Sequence, residues 1–220
     1  MAITRLGPNQ LVNLASNVTG TLPAANVANS TLNNVTALPA AIATGSLVKI
    51  AEADYSSGVS SVTMTDCFTS TYSVYKYYLY DLHMASNNSE LRIYFKDSSA
   101  NNVGNFQYVA NETYITIDSS TANHSHIKSS GNDFIRVSDN DLDSISDQPS
   151  VLELTIFQPY ESEHTTVDVR YHLRSDNNYL YNYIATATLR STTSLRSLTI
   201  SNDSGINFAG YKSVIYGVKK

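Results

Sequence analysis

The chain has 220 residues, a formal net charge of −5 at pH 7 and only 14 lysine and arginine residues. Because neutralising phosphates requires a basic patch and these residues are scattered, we expect no nucleic-acid partner. The single cysteine, Cys67, excludes an internal disulfide framework, and we expect it in or near the core. Tyrosine is abundant, with 16 residues against 6 phenylalanines and no tryptophan. Its ring suits strands and its hydroxyl suits wet surfaces.

The opening residues do not resemble a targeting segment. Met1 is followed by a polar sequence through Gly7, Pro8 and Asn9 rather than by an apolar stretch, so no secretory signal peptide is expected. No apolar run approaches about 18 residues, so we also expect no transmembrane helix and no membrane insertion. The sequence therefore predicts synthesis in a cytoplasm without export by the usual route.

Residues 1–44 differ in composition from the remainder. After Arg5 they contain no charged side chain and no aromatic ring, and prolines stand at positions 8, 23 and 39. Proline favours an extended path, and small apolar residues without aromatics cannot close a core alone. We therefore predict an extended N-terminal attachment arm over 1–44 that is ordered only against a partner. Its apolar residues are the predicted assembly contacts, and three arms around an axis could bury most of them together in a homotrimer: Leu6, Leu22, Val27, Leu32, Val35, Leu38 and Ile42.

Residues 45–220 are predicted to form one all-β domain. Short apolar or aromatic runs alternate with polar turn clusters, and none shows a sustained helical period. The predicted strands are 76–82, 91–96, 106–109, 114–118, 134–137, 151–157, 165–173, 181–189, 197–200 and 212–218. Many short strands at near-regular spacing favour an antiparallel β-sandwich of jelly-roll type.

Alternation along the strands predicts which side chains face the core. Three strands give clear sets: Leu91, Ile93 and Phe95; Val167, Val169, Tyr171 and Leu173; and Val151, Leu154 and Ile156, with Leu152 left open. The densest tyrosine run divides in the same way. Tyr75, Tyr77 and Leu79 share one face, while Lys76, Tyr78 and Tyr80 share the other. One face should be core, and the other a subunit interface or a surface on which sugar rings stack.

A later strand repeats this arrangement, with Tyr179, Tyr181 and Tyr183 along one face. Core or interface packing and glycan stacking both remain open there.

Two stretches resemble virion proteins of tailed bacteriophages. The first comprises residues 3–10, ITRLGPNQ, and residues 17–26, NVTGTLPAAN. These are similar to sequences near the N-terminus of many phage fibre and other appendage proteins. The second runs from Ser46 to the end of the sequence, and the motifs that carry the resemblance lie at 68–76, 92–95, 156–159 and 215–220. It looks like a β-sandwich domain common in predicted phage tail fibres and related structural proteins. The resemblance implies a non-enzymatic virion component that is often trimeric.

Two clusters could hold a metal ion. His124 and His126 would face the same way on a strand and could share one metal, and trimeric phage fibres sometimes gather such pairs around an axis. The competing interpretation is a solvated loop. Residues 139–143 place three carboxylates at alternate positions, as calcium loops do, but Ser144 and Ser150 stand where glycine and glutamate are wanted. Asp147 could join a non-standard site, yet we expect no bound metal and no cofactor.

Catalytic signals are weak, and we expect no enzymatic activity. No nucleophile elbow, Walker loop or dinucleotide fingerprint occurs among the motifs of the chain. Glu161 and Glu163 pair two carboxylates before His164, but a glycosidase needs its carboxylates fixed across a cleft. We predict no catalytic residues.

The expected function is that of a structural subunit of a phage virion appendage, a tail fibre or a similar host-contacting fibre. The arm would bind other virion proteins and the sandwich would be exposed, with a host surface glycan or protein as a further partner. A capsid decoration protein or head fibre is the nearest alternative, and a free carbohydrate-binding module is the other class. Receptor contacts would lie in the polar loops 86–89, 97–102, 124–132 and 175–178, chiefly at Asn87, Asn88, Asn101, Asn102, Asn177 and Asn178.

Overall fold

A computed structural model describes residues 46–55, 58–85, 90–116, 122–137, 150–174 and 179–218. The predicted arm, 1–44, lies outside these residues. Over the described ranges the chain forms twelve strands and no helix. Accordingly, this part of the chain contains no helix long and apolar enough to cross a membrane. The strands are β1 Leu47–Tyr55, β2 Ser61–Met64, β3 Val74–Met84, β4 Leu91–Lys96, β5 Phe106–Thr116, β6 Ala122–Asn132, β7 Ile135–Arg136, β8 Ser150–Phe157, β9 Thr166–Arg174, β10 Tyr179–Leu189, β11 Ser197–Asn202 and β12 Phe208–Val218.

The strands form two antiparallel sheets. One has eight strands in the order β1-β12-β3-β8-β9-β10-β5-β6, and the other has four in the order β2-β11-β4-β7. The last strand lies between the first and the third, so hairpins alone cannot build the larger sheet, as in jelly-roll sandwiches. The predicted all-β antiparallel sandwich is confirmed, although its strands divide unequally between the sheets.

One hydrophobic core contains side chains from both sheets. The larger sheet contributes alternate residues of β3, β8 and β9, and the smaller sheet contributes those of β4 and β11. The predicted inward residues Leu91, Ile93 and Phe95 are fully buried, as are the four predicted on β9. On β3 the core face is the one with Tyr75, Tyr77 and Leu79. Alternation alone therefore identified the buried face of β4 and β9, whereas on β3 it left the choice between the two faces open.

The structure corrects the predicted position of Val151. Leu152, Leu154 and Ile156 point into the core, so Val151 is half-buried on the opposite side of β8. Strand alternation allows only one of Val151 and Leu152 to face inward. Leu152 is fully buried and Val151 is only half-buried, so Leu152 is the residue that faces the core.

Three observed strands, β1, β2 and β6, were not predicted. The strands predicted at 106–109 and 114–118 form one continuous strand, β5. β1 contains the charged residues Lys49, Glu52 and Asp54, β2 has only four residues, and β6 is almost entirely polar. β5 runs without interruption through Asn111 and Glu112 because backbone pairing to β10 and β6 continues on both sides. In each case backbone pairing forms a strand where side-chain patterning gives no signal.

Candidate functional site

Many predicted site residues lie outside the described part of the chain. The seven arm residues Leu6, Leu22, Val27, Leu32, Val35, Leu38 and Ile42 do so, as do Asn87, Asn88, Asn177 and Asn178. The acidic stretch 139–143 and Asp147 also lie there. These predictions stay predictions.

Asn101 and Asn102 lie in the turn that follows β4. The Asp97 carboxylate accepts hydrogen bonds from the backbone amides of Ser99 at 2.8 Å and Asn101 at 2.9 Å. The bond from the Asn101 amide lowers the pKa of Asp97 below its ordinary value. Both asparagines are exposed, so this turn presents polar groups on an ordered frame.

The histidine pair lies on a strand and not in a loop, which corrects the predicted loop over 124–132. His124 and His126 belong to β6, which pairs with β5 at one edge of the larger sheet. The Nδ1 atom of His124 lies 3.2 Å from Thr113 Oγ1, and that of His126 lies 2.6 Å from Asn111 Oδ1. Both rings share one exposed face, but no group of three or more histidine, cysteine or acidic residues gathers around a point anywhere in the described ranges. The pair alone supplies only two ligands.

Cys67 is buried, as predicted, with 1% of its surface exposed. Burial raises the pKa of its thiol to about 12. A thiol that stays protonated at neutral pH is a poor nucleophile.

The outward tyrosines of β3 line a depression on the larger sheet. We call the side of β12, β3, β8, β9 and β10 that is turned away from the core the outer face. Here Tyr78 and Tyr80 meet Tyr216 of β12, and the Tyr78 and Tyr216 ring centroids are 6.3 Å apart in an edge-to-face arrangement. The depression measures about 450 Å³ and is completed by Leu47, Val151 and Val214. Tyr80 is 39% exposed, so this part of the outer face is aromatic and accessible to solvent.

A polar depression of about 570 Å³ lies beside it on the same face. Strand register aligns its side chains in two cross-strand rows that begin in the aromatic depression. The rows are Tyr216, Lys76, Thr155, Asp168 and Thr186; and Val214, Tyr78, Glu153, Arg170 and Ile184. Lys76 Nζ donates to Thr155 Oγ1 at 2.6 Å, and Thr186 Oγ1 donates to Asp168 Oδ1 at 3.0 Å. Glu153 and Arg170, paired in register, have no hydrogen bond or ion pair with any residue that the structure describes.

A β-bulge shapes the rim of the outer face. The register of β3 against β8 shifts between Leu79 and Leu82, and Asp81 has a φ of 53°. A non-glycine residue in this left-handed region costs about 1 kcal/mol. The Asp81 carboxylate forms an ion pair with Lys212 Nζ at 3.0 Å, and this contact links the bulge to β12. Bulges shift which side chains face each side of a sheet, and this one returns Leu82 and Met84 to the core after Tyr80 and Asp81.

A second charged cluster, near β4 and β7, is balanced internally. The carboxylate of Glu90, a buried residue, lies 2.7 Å from Arg92 Nε and 3.5 Å from Arg136 Nη1. Asp203 lies 3.7 Å from Arg92 Nη2, and the Arg92 guanidinium covers the Phe134 ring at 4.4 Å. Two carboxylates thus match two guanidiniums. This arrangement indicates a structural cluster that joins neighbouring strands.

Sequence reasoning missed the polar half of the outer face. Glu153, Asp168 and Arg170 come from the consecutive strands β8 and β9, whereas Lys76 comes from β3, which is distant in the chain. Their signal was alternation, which predicts that each side chain points outward but not that they lie together. Strand order brings them together.

Comparison with known proteins finds no matching family, no matching curated protein and no matching solved structure. The resemblance to phage virion proteins therefore stays a prediction. The functional assignment rests on the residues and contacts of this chain.

Proposed function

We propose that this chain is a structural subunit of a bacteriophage virion appendage, a tail fibre or a similar host-contacting fibre. Residues 1–44 bind other virion proteins, and the sandwich is exposed on the particle. The proposal is supported by the virion-like stretches of the sequence and by the contacts that their residues make in the sandwich.

The observation that carries the proposal is that residues from the separate virion-like stretches pack together in one cluster. Phe68 contacts Tyr75 edge-on at 5.0 Å and stacks on Phe95 at 6.1 Å between ring centroids. Register places Tyr75 between Gly217 of β12 and Ile156 of β8. Stretches that are distant in the chain thus build one structural unit. The residues that carry the resemblance are therefore parts of one packed domain.

Two details show that this cluster demands particular residues. The Tyr75 hydroxyl donates to the Thr69 carbonyl oxygen at 2.8 Å and accepts from the Thr69 amide at 2.8 Å, which anchors the segment before β3. Gly217 lies against the Tyr72 ring, where an added Cβ would stand 2.4 Å from Cγ. Geometry thus favours tyrosine at position 75 and glycine at position 217, whereas Thr69 contributes only backbone atoms. A resemblance at these positions therefore reports on the domain core.

Imaging of the intact particle by cryo-electron microscopy tests the proposal. We expect density for the sandwich on a tail or fibre structure, with residues 1–44 in contact with another virion protein. Density on the capsid would replace the proposal by a decoration protein or head fibre, and absence from purified particles would refute both.

Deletion of residues 1–44 tests whether the sandwich folds by itself and whether residues 1–44 attach it to the particle. We expect the truncated chain to melt cooperatively as a β protein and to be absent from particles. Failure to fold, or normal incorporation into particles, would contradict the two-part organisation.

The proposed subunit is a homotrimer. The apolar series of the arm requires burial, and three copies around an axis would provide it. Light scattering of the full-length chain at micromolar concentration is the measurement, and a monomer mass would contradict the trimer.

A further inference from the structure

We infer that the outer face of the eight-stranded sheet is a binding surface for a neutral oligosaccharide. The inference deepens the proposed function, on which its biological setting as a host contact rests. It moves the contact from the loops, where the sequence placed it, to the strands β12, β3, β8, β9 and β10. The binding chemistry can be tested on the purified chain without any particle.

The aromatic depression suits the apolar faces of sugar rings. Tyr78, Tyr80 and Tyr216 turn away from the core, whereas their neighbours Tyr75, Tyr77 and Ile215 are fully buried. Tyrosine combines a large apolar ring with a hydroxyl that can stay hydrated or bond a ligand. The volume of about 450 Å³ lies in the range of small-molecule sites. A pyranose ring could therefore lie against these side chains.

The polar depression suits sugar hydroxyl groups. A hydroxyl both donates and accepts, so a surface that offers both functions in close register matches it. Arg170 supplies donors and Glu153 supplies acceptors, and neither is engaged with another residue in the described part of the chain. The Phe157 ring adds an apolar surface at its edge. The two depressions share rows of neighbouring residues, so an oligosaccharide could contact both.

The charge balance favours an uncharged ligand. Lys76 and Arg170 contribute two positive charges, and Glu153 and Asp168 contribute two negative ones. A phosphate or polycarboxylate ligand would require a net positive surface. The polar depression offers no such excess, while its mixed donors and acceptors remain suited to hydroxyl groups.

The same charges argue against a second copy of the sandwich as the occupant. The centres of subunit interfaces are depleted of charged residues, whereas four charged side chains occupy the middle of this face.

The test is a titration of the full-length chain with defined sugars. The probes are maltotetraose, cellotetraose, the tetramer of N-acetylglucosamine and a β-linked galactotetraose, with tetragalacturonic acid as the charged comparison. Calorimetry gives the affinity, and tyrosine emission provides a second readout because the chain has no tryptophan. We expect at least one neutral probe to bind at millimolar concentration or below, more tightly than the charged one.

Three variants and one control assign the binding to the outer face. Tyr78→Ala should weaken binding about fivefold to tenfold, and Tyr78→Phe should retain most of it because the ring remains. Arg170→Ala should weaken it about tenfold, as expected for loss of a hydrogen bond from a charged donor, and this exposed position should not disturb folding. The matched control is Tyr94→Ala on the outer surface of the four-stranded sheet, which should bind as the native chain does.

Four results would overturn the inference, and a fifth would separate it from the proposed function. The inference would be refuted if no neutral probe bound at about 10 times the expected millimolar concentration. It would also be refuted if binding survived both Tyr78→Ala and Arg170→Ala. Selective binding of tetragalacturonic acid would refute the neutral ligand. Self-association that Tyr78→Ala abolishes would identify the face as a subunit contact instead. If sugar binding is found but the chain is absent from virions, the proposed function fails while this inference stands.

Discussion

Tyr75 and Tyr77 provide a matched pair that tests what a buried hydroxyl contributes to this fold. They lie two residues apart on the same face of β3, and both rings are fully buried. Tyr75 makes two hydrogen bonds of 2.8 Å to the backbone of Thr69. The Tyr77 hydroxyl is buried without a hydrogen-bond partner in the described part of the chain. The Ser213 hydroxyl on the neighbouring strand donates to the Ala53 carbonyl at 3.3 Å. It lies close enough to the Tyr77 hydroxyl to oppose in part the rise in the pKa of Tyr77 that burial causes, but the two hydroxyl groups make no well-formed hydrogen bond.

The two phenylalanine substitutions should therefore differ. Each hydrogen bond contributes about 1 kcal/mol net, so Tyr75→Phe should lower the free energy of unfolding by about 2 kcal/mol. For a domain of this size that corresponds to a decrease in Tm of roughly 4–8 °C. Tyr77→Phe removes an unpaired buried polar group and should change stability by less than about 0.5 kcal/mol or increase it.

Urea unfolding followed by circular dichroism measures the difference. The midpoint should fall for Tyr75→Phe at an unchanged slope, because the surface exposed on unfolding stays the same. An equal loss in both variants would show that the Tyr77 hydroxyl contributes as much as that of Tyr75, so the bonds to Thr69 would not distinguish the two positions. A stable Tyr75→Phe variant would refute the anchoring of the segment before β3.

Three further predictions concern separate sites. Gly217→Ala should destabilise the chain by about 1–3 kcal/mol in thermal melting, because an added Cβ would stand 2.4 Å from the Tyr72 ring; an unchanged Tm would mean that the ring swings aside freely. Burial raises the pKa of the Cys67 thiol from 9.0 to about 12, so the thiol's contribution to stability should be complete below pH 9 and lost as pH rises towards 12. Unfolding of the native chain and Cys67→Ala across this range measures that loss, and a constant difference between them would contradict it. Treatment with a chelator should leave Tm unchanged, and a stoichiometric metal lost together with stability would instead make His124 and His126 the first ligands to substitute.

The outer face changes how the predicted host contact is understood. Loops were expected to hold it because connecting segments tolerate change. Of the loop residues singled out, the structure describes Asn101 and Asn102, and it places them on an ordered turn without an aromatic partner. The larger sheet instead combines exposed tyrosines with unengaged polar groups over adjacent strands. A rigid strand surface of this kind can hold a ligand at little cost in conformational entropy.

The sequence by itself determined the fold class and the inward-facing residues of β4 and β9. Strand alternation depends only on neighbouring residues, so Leu91, Ile93 and Phe95 could be assigned to the interior before any strand order was known. Tertiary structure alone decided what non-local pairing controls. β6 is a strand because β5 supplies its hydrogen bonds, although its side chains are almost all polar. Glu153 and Arg170 became neighbours because β8 pairs with β9 in one particular register. A shift of two residues would keep both side chains on the outer face but separate them, and alternation in the sequence does not encode that choice.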